Sequence, residues 1–148
     1  MKKKDLIALM NKSIRFVIPG NPIALARPRF AHKHVFDSQR LEKLTAGLHI
    51  RHQFGSETPY ENVPLSMDIK FILPIPSCSK VRHDKYIDSF HTHRPDIDNL
   101  CKFVLDICNN LIYKDDCIIA RLSSSKVYGD NPRTEFTIKE LNEMEKIK

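Results

Sequence analysis

The chain has 148 residues, enough for one domain that buries its own core without disulfide or metal staples. Its hydrophobic fraction of 41% and charged fraction of 28% are those of an ordinary globular protein, and no apolar run approaches the length of a membrane span. The formal net charge of +6 favours a polyanionic partner, although net charge describes non-specific association and not a particular activity.

The first predicted element is a strand that follows a loose N-terminus. Lys2–Lys4 followed by the apolar run Leu6–Met10 faintly resembles a signal peptide, but Asp5 interrupts the pattern and the run is too short, so we expect a loose basic N-terminus. From Ser13 to Ile18, apolar residues occupy every second position, which is typical of a strand with one buried face. Pro19-Gly20 ends it.

Residues 21–37 are predicted to form a basic loop. Its cations are Arg27, Arg29, His32, Lys33 and His34. Because arginine makes bidentate contacts with phosphate, a loop of this composition is suited to lie along a DNA backbone. From these residues alone, a solvated basic loop is the simpler interpretation.

A helix and a strand are predicted next. Ser38 is a suitable N-cap for the helix, in which Leu41, Leu44 and Leu48 repeat along one side. The other face carries Arg40, Lys43 and Arg51. After a polar loop, the strand is indicated by apolar residues that alternate with polar ones, at Met67, Ile69, Phe71 and Leu73.

The segment from Ser77 to Arg94 is predicted to be a short helix, capped by Ser77 and ending near Tyr86, followed by a loop. Long connections of this kind are usually functional or mobile. Its cations are Lys80, Arg82, Lys85 and Arg94, and Tyr86 and Phe90 are available for stacking. We expect a DNA-contacting flap that becomes ordered on binding; the alternative is a flexible loop.

The clearest element is the helix that begins near Ile97. Its apolar residues recur at helical spacing and predict one buried face, formed by Leu100, Cys101, Val104, Ile107, Cys108 and Leu111. Pro95 suits the entry turn, and either Asp96 or Asp98 suits the N-cap. The pattern stops near Asn109-Asn110.

Asp98 and Lys102 are predicted to share an exposed stripe of this helix, because residues four apart lie on the same face. Since helical side chains lean toward the N-terminus, the Lys102 ammonium would reach back over whatever Asp96 and Asp98 hold. An antiparallel return of the chain after the helix would bring Asp115 or Asp116 to the level of the helix start.

Two strands are predicted after the helix. The first runs from Cys117 to Tyr128, and the second, from Arg133 to Ile138, pairs back on it after a turn. Together, the elements predict a single α+β domain over residues 1–148, with a small mixed β-sheet of about four strands and two main helices packed on it. Residues 1–12 and 141–148 are expected to be loose tails.

The acidic residues around the central helix admit two interpretations. Singly, Asp96 and Asp98 are typical helix caps, an Asp98–Lys102 pair is a common surface pair, and Asp115-Asp116 before a strand is a common turn. In combination, they offer the compact set of carboxylate oxygens that hard cations such as Mg²⁺ prefer. The four cysteines have no C-x-x-C spacing, which favours reduced thiols in a cytoplasm.

Three segments resemble the RusA-type Holliday junction resolvases, a family found in phages and prophages. RPDIDNLCKFVLD followed by YKDD looks like the family's D-[LI]-D-N-L-x-K-x-x-x-D and following D-D. Pro19–Pro22 with Arg27–Phe30 is similar to its P-G-x-P and R-P-R-F, and Lys126–Gly129 is similar to its K-x-Y-G. Leu25 and Ala26 depart from the basic residue and glycine that usually precede R-P-R.

The resemblance implies an Mg²⁺-dependent endodeoxyribonuclease that acts in recombination and repair as a homodimer, cutting four-way DNA junctions by phosphodiester hydrolysis. Asp96, Asp98 and Asp116 match the family's metal-binding carboxylates and Lys102 its catalytic lysine, whereas Asn99 and Asp115 have less certain roles. The resemblance also implies no membrane association, no small-molecule cofactor, and a cytoplasmic location in a bacterial or phage-infected cell. We expect DNA contacts from Arg27, Arg29, Lys33, Lys80, Arg82, Lys85, Arg94 and Lys126.

Two alternatives remain. One is a non-catalytic nucleic-acid-binding protein that uses the same basic surface, and the other is a branched-DNA nuclease of broader specificity. The intact set of Asp96, Asp98, Lys102 and Asp116 argues against the first, and a cleavage assay with Mg²⁺ separates the two from a junction resolvase.

Overall fold

A computed structural model describes residues 2–3, 12–77 and 80–141, and for residues 80–82 it describes the backbone alone. In chain order the elements are β1 (Ser13–Pro19), β2 (Arg29–Ala31), β3 (His34–Phe36), α1 (Arg40–Phe54), β4 (Leu65–Pro74), α2 (Lys80–Tyr86), α3 (Ile97–Cys108), a 3₁₀ turn (Asp116–Ile118), β5 (Ile119–Gly129) and β6 (Arg133–Glu140). No helix in these ranges is long and apolar enough to cross a membrane.

The main sheet has four strands in the order β1-β6-β4-β5. β4 and β5 are parallel and the other neighbours are antiparallel, while β2 and β3 form a separate hairpin. The buried side chains of α1 and α3 join those of the sheet in one core. This is the α+β architecture predicted from the sequence; the predicted short helix is present as α2, and the hairpin is in addition.

The core forms where the predicted apolar faces of β4 and α3 meet. Met67 and Phe71 from β4 are 1% exposed, and Leu100 and Cys108 from α3 are fully buried. Phe16 of β1 stacks on Phe136 of β6 with 4.9 Å between the ring centroids. The alternation in β4 and the helical spacing in α3 therefore predicted most of their buried positions, although Leu111 lies beyond α3 and Phe103, which was not predicted, is buried.

The prediction that β6 pairs back on β5 is wrong. β6 lies between β1 and β4, so residues 130–132 carry the chain across the end of β4. Gly129 makes this crossing possible, because a Cβ at this position would lie 2.7 Å from Cγ2 of Ile72. Pro74, which pairs with Gly129 in register, ends β4 at the same level.

Helix α1 forms as predicted, but its leucines face away from the core. The side chains that it buries are Ala46, Ile50 and Phe54, whereas Leu41, Leu44 and Leu48 are 74%, 57% and 67% exposed. The helix has a second apolar row at i, i+4 and i+8, and this row packs on the sheet. The N-cap is Gln39 and not Ser38.

Gln53 of α1 occupies the free edge of β1. Its side-chain amide donates to the carbonyl oxygen of Val17 at 2.7 Å, and its side-chain oxygen accepts from the Val17 N–H, also at 2.7 Å. One side chain thereby makes the pair of hydrogen bonds that a neighbouring strand would make at this residue.

The segment after α2 is ordered against the other edge of the sheet. The N–H groups of Asp88 and His91 donate to the carbonyls of Tyr128 and Lys126, and the Tyr128 N–H donates to the Ser89 carbonyl. The prediction of a flap that is ordered only on DNA binding is therefore wrong for residues 87–91. The predicted Ser77 cap falls beside residues 78–79, which lie outside the described residues, as does Cys78.

Candidate active site

Two exposed carboxylates stand at the N-terminus of α3. Asp96 is the N-cap, with extended backbone (φ −73°, ψ 140°), and Asp98 lies in the first turn. The Asp96 side chain makes no capping hydrogen bond to the helix, so its oxygens are not used by the backbone. The positive end of the helix dipole favours negative charge at this place.

Lys126 holds the turn that leads into α3. Its Nζ donates to the carbonyl oxygens of His93 (2.8 Å) and Pro95 (2.7 Å). We predicted a DNA contact for Lys126, but its ammonium is directed at two backbone carbonyls next to Asp96. The structure thus gives Lys126 a positioning role that sequence spacing did not indicate.

Lys102 lies beside Asp98, as the four-residue spacing predicts. Its Nζ is 3.5 Å from Oδ2 of Asp98, and both side chains are more than half exposed. An exposed pair of this kind contributes little to stability. Its consequence is a positive charge held beside the Asp98 carboxylate in the first turns of α3.

These groups line one cleft of about 470 Å³ together with the basic loop before β2. Arg27 and Pro28 form the loop side of the cleft, and Asp96, Asp98 and Lys102 form the helix side. The N–H of Leu25 donates to the Asn99 carbonyl at 2.9 Å, which ties the loop to α3. The structure therefore brings Arg27 to the predicted catalytic residues.

Asp116 does not lie in this cleft. Its carboxylate is hydrogen-bonded to the Asn109 side chain at the C-terminal end of α3, and at 1.5 Å per residue Asn109 is roughly 16 Å along the helix axis from Asp98. The predicted return of Asp116 to the helix start is thus wrong within one chain. Among the described residues, no three His, Cys, Asp or Glu side chains are grouped closely enough to hold a metal ion.

The neighbourhood of Asp116 shifts the pKa of its carboxyl upward. Partial burial and the adjacent Asp115 carboxylate raise the pKa of Asp116, while the hydrogen bond from Asn109 acts in the opposite direction. Asp115 is the N-cap of the 3₁₀ turn, and the N–H of Cys117 that donates to it lowers its pKa. Asp115 thus shapes the turn that presents Asp116. Asn109 was missed at the sequence level, where it appeared only as a helix stop.

Four of the other predicted DNA-contacting residues, Arg29, Lys33, Lys85 and Arg94, lie on exposed surface. Arg29 and Lys33 belong to the β2–β3 hairpin, all of whose strand residues are exposed, with Phe30 80% exposed. Lys33 lies in the turn of the hairpin (φ 71°). Lys85 and Arg94 are exposed, and the side chains of Lys80 and Arg82 lie outside the described residues.

Comparisons with known proteins match most of the chain. The family model for endodeoxyribonuclease RusA matches residues 19–139, which include the basic loop, the cleft and Asp116. The chain is also similar to the uncharacterized protein YqaN of Bacillus subtilis (strain 168), with 36% identity over 141 residues, covering 87% of this chain and 97% of the relative.

Proposed function

Because the chain belongs to the RusA endodeoxyribonuclease family, we propose that it is an Mg²⁺-dependent endodeoxyribonuclease that resolves four-way DNA junctions in recombination and repair. The observation that carries the proposal is the shared cleft of Asp96, Asp98, Lys102 and Arg27, which is lined by two exposed carboxylates, an ammonium and a guanidinium. This combination suits a phosphodiester that must be bound and then hydrolysed. The protein would act in the cytoplasm of a bacterial or phage-infected cell.

The residues of the cleft fit a bound Mg²⁺. Magnesium in proteins prefers oxygen ligands and commonly takes one or two carboxylates, with water and substrate phosphate completing the shell. Asp96 and Asp98 supply two such carboxylates on one side of the cleft. When bound, the ion supplies Lewis-acid neutralisation of the charge at the scissile phosphate.

A third carboxylate for the same ion comes from a second copy of the chain in our proposal. Asp116 is about three helical turns from Asp98 within one chain, which is too far for one ion. A homodimer that places Asp116 of the partner subunit at the cleft removes this obstacle and produces two sites related by symmetry. Two such sites match the symmetric cutting expected of a junction resolvase.

Lys102 and the basic residues have separate tasks. Hydrolysis places additional negative charge on the phosphorus oxygens and on the leaving oxygen, and the Lys102 ammonium is held where it can stabilise that charge. Arg27 would orient the phosphate from the opposite wall. Arg29, Lys33, Lys85 and Arg94 would contact the phosphates of the junction arms.

The test is a cleavage assay on a synthetic four-way junction, a matched duplex and a flap, with Mg²⁺ and with a chelator. We expect the junction to be cut at symmetric positions only with Mg²⁺. Asp98→Asn should abolish cutting without weakening junction binding, because a carboxylate that repels phosphate has been removed. Normal cutting by this variant would refute the site, and equal cutting of the flap would indicate a broader branched-DNA nuclease.

A further inference from the structure

The β2–β3 hairpin carries an aromatic side chain that the core does not cover. Phe30 is 80% exposed, and Val35, which is paired directly opposite it, is 62% exposed. Because directly paired residues of antiparallel strands project from the same face, the two side chains form one apolar patch. Within the described residues, neither belongs to the core or to the side chains that pack against it. A patch that projects on a hairpin is a candidate contact with another molecule.

The charges around the patch favour a polyanion as that molecule. We call residues 27–36 the basic arm; its fixed cations are Arg27, Arg29 and Lys33. The same ten residues contain no aspartate or glutamate. An aromatic ring among cations suits nucleic acid whose bases are not stacked, since a base can lie on the ring while the cations hold the phosphates.

The start of the basic arm is fixed by Gln39, the N-cap of α1. The Gln39 side-chain amide donates to the Ala24 carbonyl at 2.8 Å, and its side-chain oxygen accepts from the Ala26 N–H, also at 2.8 Å. The Leu25 N–H, between them, donates to α3. The residues that lead into Arg27 are therefore held against both helices.

The end of the basic arm is fixed by an ion-pair cluster. The Lys43 ammonium of α1 lies 2.6 Å from the Asp37 carboxylate, which follows the arm, and 2.9 Å from the Asp106 carboxylate of α3. The acids at the base of the arm are thus paired with Lys43 and not with the cations of the arm. Since every strand residue of the hairpin is exposed, the arm projects into solvent from a base that is held at both ends.

The basic arm also places the ring close to the cleft. Arg27 and Pro28 line the cleft, and Phe30 follows two residues later, which is roughly 7 Å of extended chain. The hairpin closes through a two-residue turn, His32-Lys33, in which both residues have positive φ (44° and 71°), as in a type I′ turn. The ring therefore lies beside the place where the scissile phosphate would bind.

Branched DNA can offer this ring a partner that duplex DNA cannot. Inside a duplex, both faces of each base are covered by neighbouring bases. At a branch point a terminal pair can lose a neighbour, and its open face can then accept an aromatic or apolar side chain. We propose that Phe30 stacks on a base at the branch point and thereby makes the protein select branched DNA over duplex. The inference rests on the proposed function and specifies how that function recognises its substrate.

The first test compares binding to a four-way junction and to its matched duplex, with a chelator present to prevent cutting. Phe30→Ala should weaken junction affinity by about 10-fold, as expected for one lost stack, and leave duplex affinity unchanged. The salt dependence should remain that of wild type, because no phosphate contact is lost. Phe30→Trp should bind the junction like wild type, whereas Phe30→Leu, which has no ring, should behave like Phe30→Ala. Equal losses on both DNAs, or wild-type binding by Phe30→Leu, would overturn the inference.

The second test uses the absence of tryptophan from the chain, so that Phe30→Trp contains a single indole. Saturating junction should quench its emission, because the indole stacks on a base, and saturating duplex should leave the emission nearly unchanged. Leu48→Trp is the matched control, since Leu48 is 67% exposed on α1 and lies outside the arm and the cleft. Its emission should respond to neither DNA. An indole at position 30 that is not quenched by the junction, or is quenched equally by duplex, would contradict stacking at a branch point.

The outcomes separate this contact from the activity. Junction cutting with Mg²⁺, together with an indole at position 30 that does not respond, would support the proposed function and overturn the contact. An indole that responds to the junction, in a protein that cuts no DNA, would leave the contact standing and refute the proposed function. Because Phe30 is exposed, each variant should keep the circular dichroism spectrum of wild type.

Discussion

Two lysines near the start of α3, Lys102 of the helix and Lys126 of β5, have different roles. The Lys102 ammonium is exposed and lies 3.5 Å from Asp98, whereas the Lys126 ammonium is directed at the backbone carbonyls of His93 and Pro95. The first is therefore available to a substrate, and the second maintains the shape of the turn that presents Asp96. Substituting each separately distinguishes chemistry from positioning.

Lys102→Ala should lower the rate of junction cleavage by about 10²- to 10³-fold, the usual effect of removing one group that stabilises transition-state charge. Junction affinity should change only a few-fold, because the side chain contributes one of many phosphate contacts. Single-turnover kinetics with Mg²⁺ measures the rate. Lys70→Ala, on an exposed position of β4 outside the cleft, is the control and should cut at the wild-type rate. An unaltered rate for Lys102→Ala would remove this residue from the chemistry.

Lys126→Ala should act mainly on stability. Loss of its hydrogen bonds to two carbonyls is expected to lower the free energy of unfolding by about 2 kcal/mol, measured by urea denaturation. The salt dependence of junction binding should remain that of wild type, because the ammonium is not on a phosphate. Lys85→Ala, in contrast, should reduce the slope of log affinity against log salt by about one. A reduced slope for Lys126→Ala would return it to the DNA interface.

At the scale of elements, the exposed β2–β3 hairpin and the loop before it form a basic arm beside the cleft. Arg27→Ala and Arg29→Ala should each weaken junction binding and reduce the salt slope by about one. Only Arg27→Ala should also lower the cleavage rate of bound junction, since only Arg27 lines the cleft with Asp98. Binding measured at several salt concentrations and single-turnover cleavage provide the two readouts. Equal slopes for variants and wild type would show that the arm does not contact phosphates.

Elements with one dominant periodicity were predicted well from the sequence. In α3 and β4, apolar residues at helical or alternating spacing mark the only face that can be buried, so the pattern determines the orientation. In α1, both the leucine row and the row of Ala46, Ile50 and Phe54 are apolar. Periodicity alone cannot decide which row packs on the sheet, because that choice depends on contacts with distant strands.

Strand order and the position of Asp116 were not predictable from local patterns. Proximity in sequence favoured a β5–β6 hairpin, but the chain crosses β4 after Gly129 and inserts β6 between β1 and β4. The short connection after α3 keeps Asp116 at the C-terminal end of the helix, whereas Lys126, farther along β5, reaches the level of the helix start. The acidic motif was recognisable in the sequence, but the separation of Asp116 from Asp96 and Asp98 was not predictable.

At the scale of the whole molecule, a site shared between two copies predicts that two inactive variants regain activity when their subunits are mixed. Asp98→Asn and Asp116→Asn proteins should each be inactive, but mixing them after exchange of subunits should produce heterodimers in which one of the two sites is intact. About half of the dimers would be of this kind if subunits pair at random. We expect such mixtures to nick junctions on one strand, detected on labelled strands. Mixtures that remain inactive, although subunits exchange, would contradict a shared site.

The side chain of Gln53, which takes the place of a strand on β1, restricts how the protein can associate. Exposed sheet edges invite edge-to-edge pairing and, through it, open-ended aggregation. Here residues 87–91 cover one edge and Gln53 holds the backbone of the other at Val17. With strand addition hindered at these positions, open-ended association through the sheet edges is disfavoured.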